Sequence, residues 1–221
     1  MIVLFKLENE NLGYDGAVIL RDISVSISAG ERVALVGESG AGKSTLLAVL
    51  QERYYHKAVL IPQDLGLVRT LSVFHNVYMG GLSRYSTWYN LLNLIWPQKQ
   101  EIDAIRPLVV QLGLGNKLFD RTGELSGGQR QRAAICRALF QGGDAVLGDE
   151  PVSAVDVYQS RIILNAISEK FETVILAMHD VDLALEFSTR IIGIKKGKIA
   201  LDASTGSLKR SDLDFLYKDD K

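Results

Sequence analysis

The run Gly37-Glu38-Ser39-Gly40-Ala41-Gly42-Lys43-Ser44 has the glycine spacing and the closing Lys-Ser pair of a phosphate-binding loop. Glycines there let successive backbone N–H groups turn inward on an anion, and a helix that starts at the loop adds the positive end of its dipole. Lys43 can then reach the outer phosphates of a nucleotide such as ATP and Ser44 can ligate Mg2+, with Thr45 grouped beside them as a nucleotide contact. The bland alternative is a glycine-rich turn with an incidental lysine. The flanks argue against it, because Arg32–Val36 reads as a strand leading into the loop and Thr45–Leu50 as a helix leaving it.

A second helix start offers similar chemistry. Leu125-Ser126-Gly127-Gly128-Gln129 opens a helical run through Gln141 that carries Arg130, Arg132 and Arg137. A serine hydroxyl and two glycine amides at a helix N-terminus form another anion cradle, although Ser126 as a plain N-cap reads the same way. One chain has no reason to hold two cradles for one nucleotide. Further on, Ala145-Val146-Leu147-Gly148-Asp149-Glu150 ends an apolar strand in adjacent carboxylates, which ordinary packing explains poorly.

Together these motifs resemble the ABC (ATP-binding cassette) ATPase family, and Leu125–Gln129 is similar to its signature sequence. The resemblance covers nearly the whole chain. It implies a head-to-tail dimer in which the signature of one subunit closes on ATP held by the phosphate loop of the other. It also implies Mg2+ supported by Ser44, by Asp149 through water and by Gln63, with Glu150 polarising the attacking water. His179, after the strand Val174–Ala177, resembles the switch histidine that contacts the γ-phosphate; alone, it reads more often as a structural histidine, and its register with the other motifs reverses that. Ser153-Ala154-Val155-Asp156 resembles the D-loop that touches the partner subunit, with a helix N-cap as the competing role for Asp156. Tyr14 stands where the family places an aromatic that stacks on adenine, and a core or surface aromatic is its alternative. Gly148 is smaller than the family residue expected at that point of the strand.

Gln63, after the strand Ala58–Ile61, resembles the Q-loop glutamine but lies only twenty positions beyond Lys43. That spacing is short for the family and predicts a trimmed antiparallel layer, since Val68 to Val77 continues the pattern in register. The stretch Thr70-Leu71-Ser72-Val73-Phe74-His75-Asn76-Val77, with Ser86-Thr87-Trp88, Leu91-Leu92 and Val181-Asp182-Leu183-Ala184, is similar to the phosphonate-importer ATPases. Asp180 departs from that subgroup, where glutamine is expected after the switch histidine. Trp88, Tyr89 and Trp96 read either as aromatics of a permease-facing groove or as ordinary packing.

The elements that must position these residues are legible in outline. Asp22–Ser28 alternates polar and apolar residues, as a half-wet antiparallel strand does. Arg32–Val36, Ala58–Ile61, Ala145–Leu147, Val174–Ala177 and Ile191–Ile194 are short apolar runs separated by helical stretches, which predicts a mostly parallel α/β sheet of P-loop NTPase type. A helical subdomain is expected at about 70–140, with helices at Val73–Met79 and Glu101–Leu112, punctuated by Pro97 and Pro107 and ended by Gly113 and Gly115. The whole of 1–221 reads as one ABC ATPase domain, with a frayed tail at 218–221.

With 221 residues, 47% of them hydrophobic, the chain can bury a substantial core. Its net charge of -1 points to no nucleic-acid or membrane-surface partner, so any anion site must be local. Cys136 is the only cysteine, expected to be a buried structural thiol. The start MIVLFKLENENLGYDG lacks the pattern of a secretory signal, and no apolar run is long enough to span a bilayer. Any path across a membrane must then be formed by other chains, and the family resemblance implies a second ATPase subunit, membrane-spanning permease chains and a solute-binding protein as partners, with this chain on the cytoplasmic side of the membrane. Alternatives are an importer of another small oxyanion or an amino acid, an ATP-gated clamp without a transporter, or a catalytically dead half of a heterodimer. A clamp calls for long coiled coils or a duplicated cassette, and a dead subunit for a degraded site; neither feature is present.

Overall fold

The alternation seen at 22–28 is the second half of a long hairpin in the computed structural model, which describes residues 2–14 and 16–218; positions 219–221 of the expected tail lie outside the described residues. Strands β1 (Val3–Tyr14) and β2 (Ala17–Ser28) pair antiparallel and bury Phe5, Leu7, Ile23, Val25 and Ile27 on one face. The sequence reading did not find β1. Its register slips between Leu7 and Glu10, where Asn9 takes φ 50 and donates its N–H to the Ser24 hydroxyl at 2.9 Å, so the alternation that marks a strand is broken.

The chain divides into two compact units: Met1–Gln63 with Gly143–Ser153 and Phe171–Lys221, and Asp64–Gly142 with Ala154–Lys170. In the first, β3 (Arg32–Val36), β4 (Ala58–Ile61), β5 (Ala145–Asp149), β6 (Thr173–Ala177), β7 (Arg190–Lys195) and β8 (Lys198–Ser204) form a six-stranded sheet in the order β4-β5-β6-β3-β7-β8. All pairs are parallel except β7–β8. Every residue of β6 is buried, which explains its uninterrupted apolar run. The strand β8 went unread because it is half-exposed along its length and carries Lys198, Asp202 and Ser204.

Helix α1 (Lys43–Arg53) returns to the sheet through a single turn, in which Lys57 donates its N–H to the Tyr54 carbonyl at 2.8 Å, and β4 follows at once. No strand intervenes, so the antiparallel layer is the two-stranded hairpin alone, as the short Lys43–Gln63 spacing predicts. Gly148 also finds its reason: a Cβ there would lie 2.6 Å from Leu176 Cδ2 and 3.2 Å from Pro151 Cγ, so a larger residue would overpack the strand by about 1–3 kcal/mol.

The second unit holds α2 (Val73–Tyr78), α3 (Thr87–Ile95), α4 (Lys99–Gln111), α5 (Gly127–Gln141) and α6 (Val157–Lys170). Serine side chains cap three of these starts: Ser72, Ser86 and Ser126 each accept an N–H from three residues ahead. Helix α3 was not expected as a helix. Its Trp88 is 82% exposed and Trp96, just beyond its end, 72%, while the Tyr89 hydroxyl donates to the buried Glu101 carboxylate at 3.2 Å. Pro107 does not punctuate α4 but sits inside it. It removes the N–H that would have bonded the Asp103 carbonyl, and both residues lie on the exposed side of the helix. The helix does end at Gly113, which takes φ 70. Cys136 is fully buried as expected, and burial pushes its thiol up to about 12.

Candidate active site

Strand β3 delivers the chain into the glycine loop and α1 carries it away. Gly42 is the N-cap of α1 at φ 114, a conformation only glycine adopts without strain, and no side chain caps that helix start. The first-turn N–H groups of α1 are thereby left for an external anion. Lys43 is buried, and its ammonium donates to the carbonyls of Gly37 at 2.8 Å and Glu38 at 2.9 Å, folded back across the loop. Burial pulls its pKa down, while the nearby carboxylates Glu150 and Asp149 oppose the shift. Ser44 is exposed beside it.

At the end of β5 the two acids are treated differently. Asp149 Oδ1 is buried and has no hydrogen-bond partner, the kind of orphaned oxygen that an ion or an ion-bound water satisfies. Glu150 sits at φ 55, a left-handed conformation uncommon for a residue with a side chain. Its N–H donates to the Ala177 carbonyl at 3.2 Å, and its own carbonyl accepts from the Ser153 N–H at 3.2 Å and the Ser153 hydroxyl at 3.0 Å. Those bonds hold the turn that swings the Glu150 carboxylate onto His179, whose Nε2 it meets in a hydrogen bond. Ser153 was read only as part of the D-loop run; its three-residue offset from Glu150 is the signal for this turn.

Tyr14 ends β1 opposite Ala17 and is 47% exposed. Burial of the rest of the ring raises its phenol pKa, and a hydrogen bond with Thr45 of α1 partly offsets this, so the ring stands beside the start of the phosphate-loop helix. Gln63 is exposed just past β4. Among the described residues no cluster of three or more His, Cys, Asp or Glu side chains could hold a metal on its own. The donors that fit a magnesium ion with a nucleotide are thus a hydroxyl, an amide and the orphaned Asp149 oxygen, a hard all-oxygen set.

A family model described as ABC transporter matches residues 20–153, well over half of the chain. The chain belongs to the ABC transporter family. The Phosphonates import ATP-binding protein PhnC 1 of Pseudomonas aeruginosa is 34% identical over 236 residues, covering 94% of this chain and 88% of its own. A protein named Phosphonates import ATP-binding protein PhnC in Lactobacillus delbrueckii subsp. bulgaricus is 33% identical over 250 residues, covering 99% of this chain and 96% of its own. Among solved structures, the dimeric MJ0796, a bacterial ABC transporter cassette, matches with TM-score 0.76 at 24% identity over 90% of this chain and 98% of that one. The ADP conformation of MJ1267 matches with TM-score 0.74 at 21% identity over 98% and 99%. The fold is that of an ABC cassette, and the chain is an ABC-type ATPase.

The run Leu125–Gln129, expected as the signature, lies in the second unit, at the start of α5. Ser126 forms a full capping box with Gln129: its hydroxyl accepts the Gln129 N–H at 3.3 Å and its own N–H donates to Gln129 Oε1 at 2.9 Å. Both readings of Ser126 therefore start from a real N-cap, and the residue remains exposed. Leu125 is buried, and Gly127 has open space around it. Gly128 packs so closely that a Cβ would lie 2.8 Å from the Ala154 carbonyl, and Gln131 accepts the Ala154 N–H at 3.1 Å. Helix α5 thus braces Ala154, which shares its unit. Asp156 caps α6, accepting the Gln159 N–H at 2.9 Å. Asp180, the departure from the phosphonate-importer pattern, caps α7 (Val181–Phe187) by accepting the Leu183 N–H at 3.0 Å.

Proposed function

We propose that this chain is the ATPase subunit of an importer for phosphonate or a similar small oxyanion, working as a dimer on the cytoplasmic face of permease chains supplied by a solute-binding protein. The observation that carries this reading is similarity at 33–34% identity, over nearly the whole chain, to proteins named for phosphonate import. It agrees with the absence, among the described residues, of any helix long and apolar enough to cross a membrane. A reconstituted complex with permease and binding protein tests it: a phosphonate should raise ATP hydrolysis and an amino acid should not. Stimulation by the amino acid alone would reassign the substrate.

Within that reading the residues take separate tasks. The N–H groups of 37–44 and of Thr45 receive the phosphates, and Lys43 leaves the Gly37 and Glu38 carbonyls to meet the outer ones. Ser44, Gln63 and Asp149 hold magnesium, which when bound neutralises charge developing on the β- and γ-phosphates. Glu150 orients the attacking water and His179, tied to it, carries its position to the γ-phosphate. Leu125–Gln129 serves the ATP of the partner, with Asp156 and its loop at the contact between subunits.

Tyr14 stacks on the adenine in this arrangement, and stacking tolerates any base. Tyr14→Ala should weaken Mg-ATP binding by about 1–3 kcal/mol in calorimetry and weaken Mg-GTP by a similar factor. Unchanged affinity for both nucleotides would make Tyr14 a surface aromatic that touches only Thr45.

A further inference from the structure

One contact on the phosphate loop belongs to none of the motifs. The 3-10 segment Arg210–Tyr217 seats Leu213 and Leu216, both fully buried, within the first unit. Leu216 lies over Gly193 of β7, where a Cβ would come within 2.6 Å of its Cδ1, and Gly193 is paired in register with Val36, the last residue before the loop. Arg210 forms an ion pair with Asp182 in the first turn of α7, the helix that begins just after His179. These contacts bring the Tyr217 hydroxyl to the loop, where it accepts the N–H of Gly37 at 3.2 Å. The carbonyl of the same Gly37 accepts the Lys43 ammonium at 2.8 Å.

We propose that Tyr217 is a positioning residue for ATP binding and hydrolysis: by holding the Gly37 N–H it fixes the residue whose carbonyl parks Lys43, and so sets where that ammonium starts from when phosphates arrive. The segment also walls a cavity of about 380 Å³ with His179, Val181 and Leu213, so the same tyrosine faces the neighbourhood of the switch histidine. Burial raises the phenol pKa, with the Gly37 contact opposing, which keeps the group neutral at physiological pH. A neutral acceptor satisfies the Gly37 N–H without placing negative charge beside bound phosphates.

The inference rests on Lys43 as the phosphate-reaching residue, and the experiment separates the two claims. In the full-length protein, Tyr217→Phe keeps the ring and deletes only the hydroxyl, so its melting temperature should fall by no more than about 4 °C, the cost of one hydrogen bond. Its Kd and KM for Mg-ATP should rise roughly three- to tenfold, the range expected for one lost hydrogen bond. In a Lys43→Ala background the same change should leave the nucleotide Kd where Lys43→Ala alone puts it, because there is no ammonium left to position. Wild-type affinity for Lys43→Ala would remove the premise and leave Tyr217 nothing to act through. With that premise intact, affinity within twofold of wild type for Tyr217→Phe overturns the inference. So does an equal loss in both backgrounds, or a fall in melting temperature well beyond about 4 °C, since either places Tyr217 in packing alone.

Discussion

Glu150→Gln is expected to cut steady-state ATP hydrolysis by about 10²- to 10⁴-fold, the usual contribution of a positioned general base, while Mg-ATP binds as tightly as to wild type. The substitution removes the carboxylate charge and keeps its shape. The backbone at φ 55 is held by Ala177 and Ser153 through main-chain groups of residue 150, which glutamine also possesses. The glutamine oxygen can still accept from His179 Nε2, so the site should remain assembled and fail only at activating water. ATP that binds without being consumed should accumulate a closed dimer, visible as a shift to the dimer position in gel filtration with Mg-ATP. A variant that keeps most of its hydrolysis would take Glu150 out of this role and leave Asp149 or His179 to be tested in its place.

The difference between Asp149 and Glu150 shows what a sequence can and cannot disclose. Adjacent acids at the end of an apolar strand marked the place, and the family resemblance supplied an expected role for each acid. That Asp149 keeps a buried oxygen without a partner while Glu150 is turned onto His179 by a left-handed backbone needed coordinates. The same boundary runs through the fold. Strands buried on both faces were legible because burial leaves a run with no polar residues, whereas β1 was hidden by its bulges and β8 by its half-exposed face. Helix α3 escaped notice because its polarity is inverted: Asn93 is buried and Tyr89 and Asn90 half-buried, while Trp88, Leu91, Leu92 and Ile95 are exposed, so its apolar residues do not mark a core face. The trimmed hairpin layer, in contrast, followed from counting residues between Lys43 and Gln63. Tyr217 had no signal at all, since the hydroxyl meets a peptide 180 positions away and a tyrosine closing the run Leu213-Asp214-Phe215-Leu216 reads only as packing.

The second large effect concerns sharing between subunits. The runs 37–44 and Ser126–Gly128 each lie at a helix N-terminus, and the proposed function uses both as phosphate cradles although one nucleotide per chain accounts for only one. If each ATP is enclosed by the loop of one chain and the signature of another, Lys43→Ala and Ser126→Arg should each be inactive as pure proteins. Neither should fail by unfolding. Ser126 is exposed, and losing its cap costs α5 only about 1 kcal/mol, small against the stability of a domain this size. A Lys43→Ala chain still presents an intact signature, and a Ser126→Arg chain still presents an intact loop. With free exchange at equal amounts, half of the dimers are mixed, and each mixed dimer has one sound site out of two. Hydrolysis should therefore return to about a quarter of the wild-type rate if sites fire independently, a result that a site built within one chain cannot give. If firing needs both sites, the mixture stays inactive yet should still form closed dimers with Mg-ATP that neither variant forms alone. A Ser126→Arg protein that hydrolyses ATP and closes into dimers by itself, as wild type does, would place the whole site within one chain and end the composite reading.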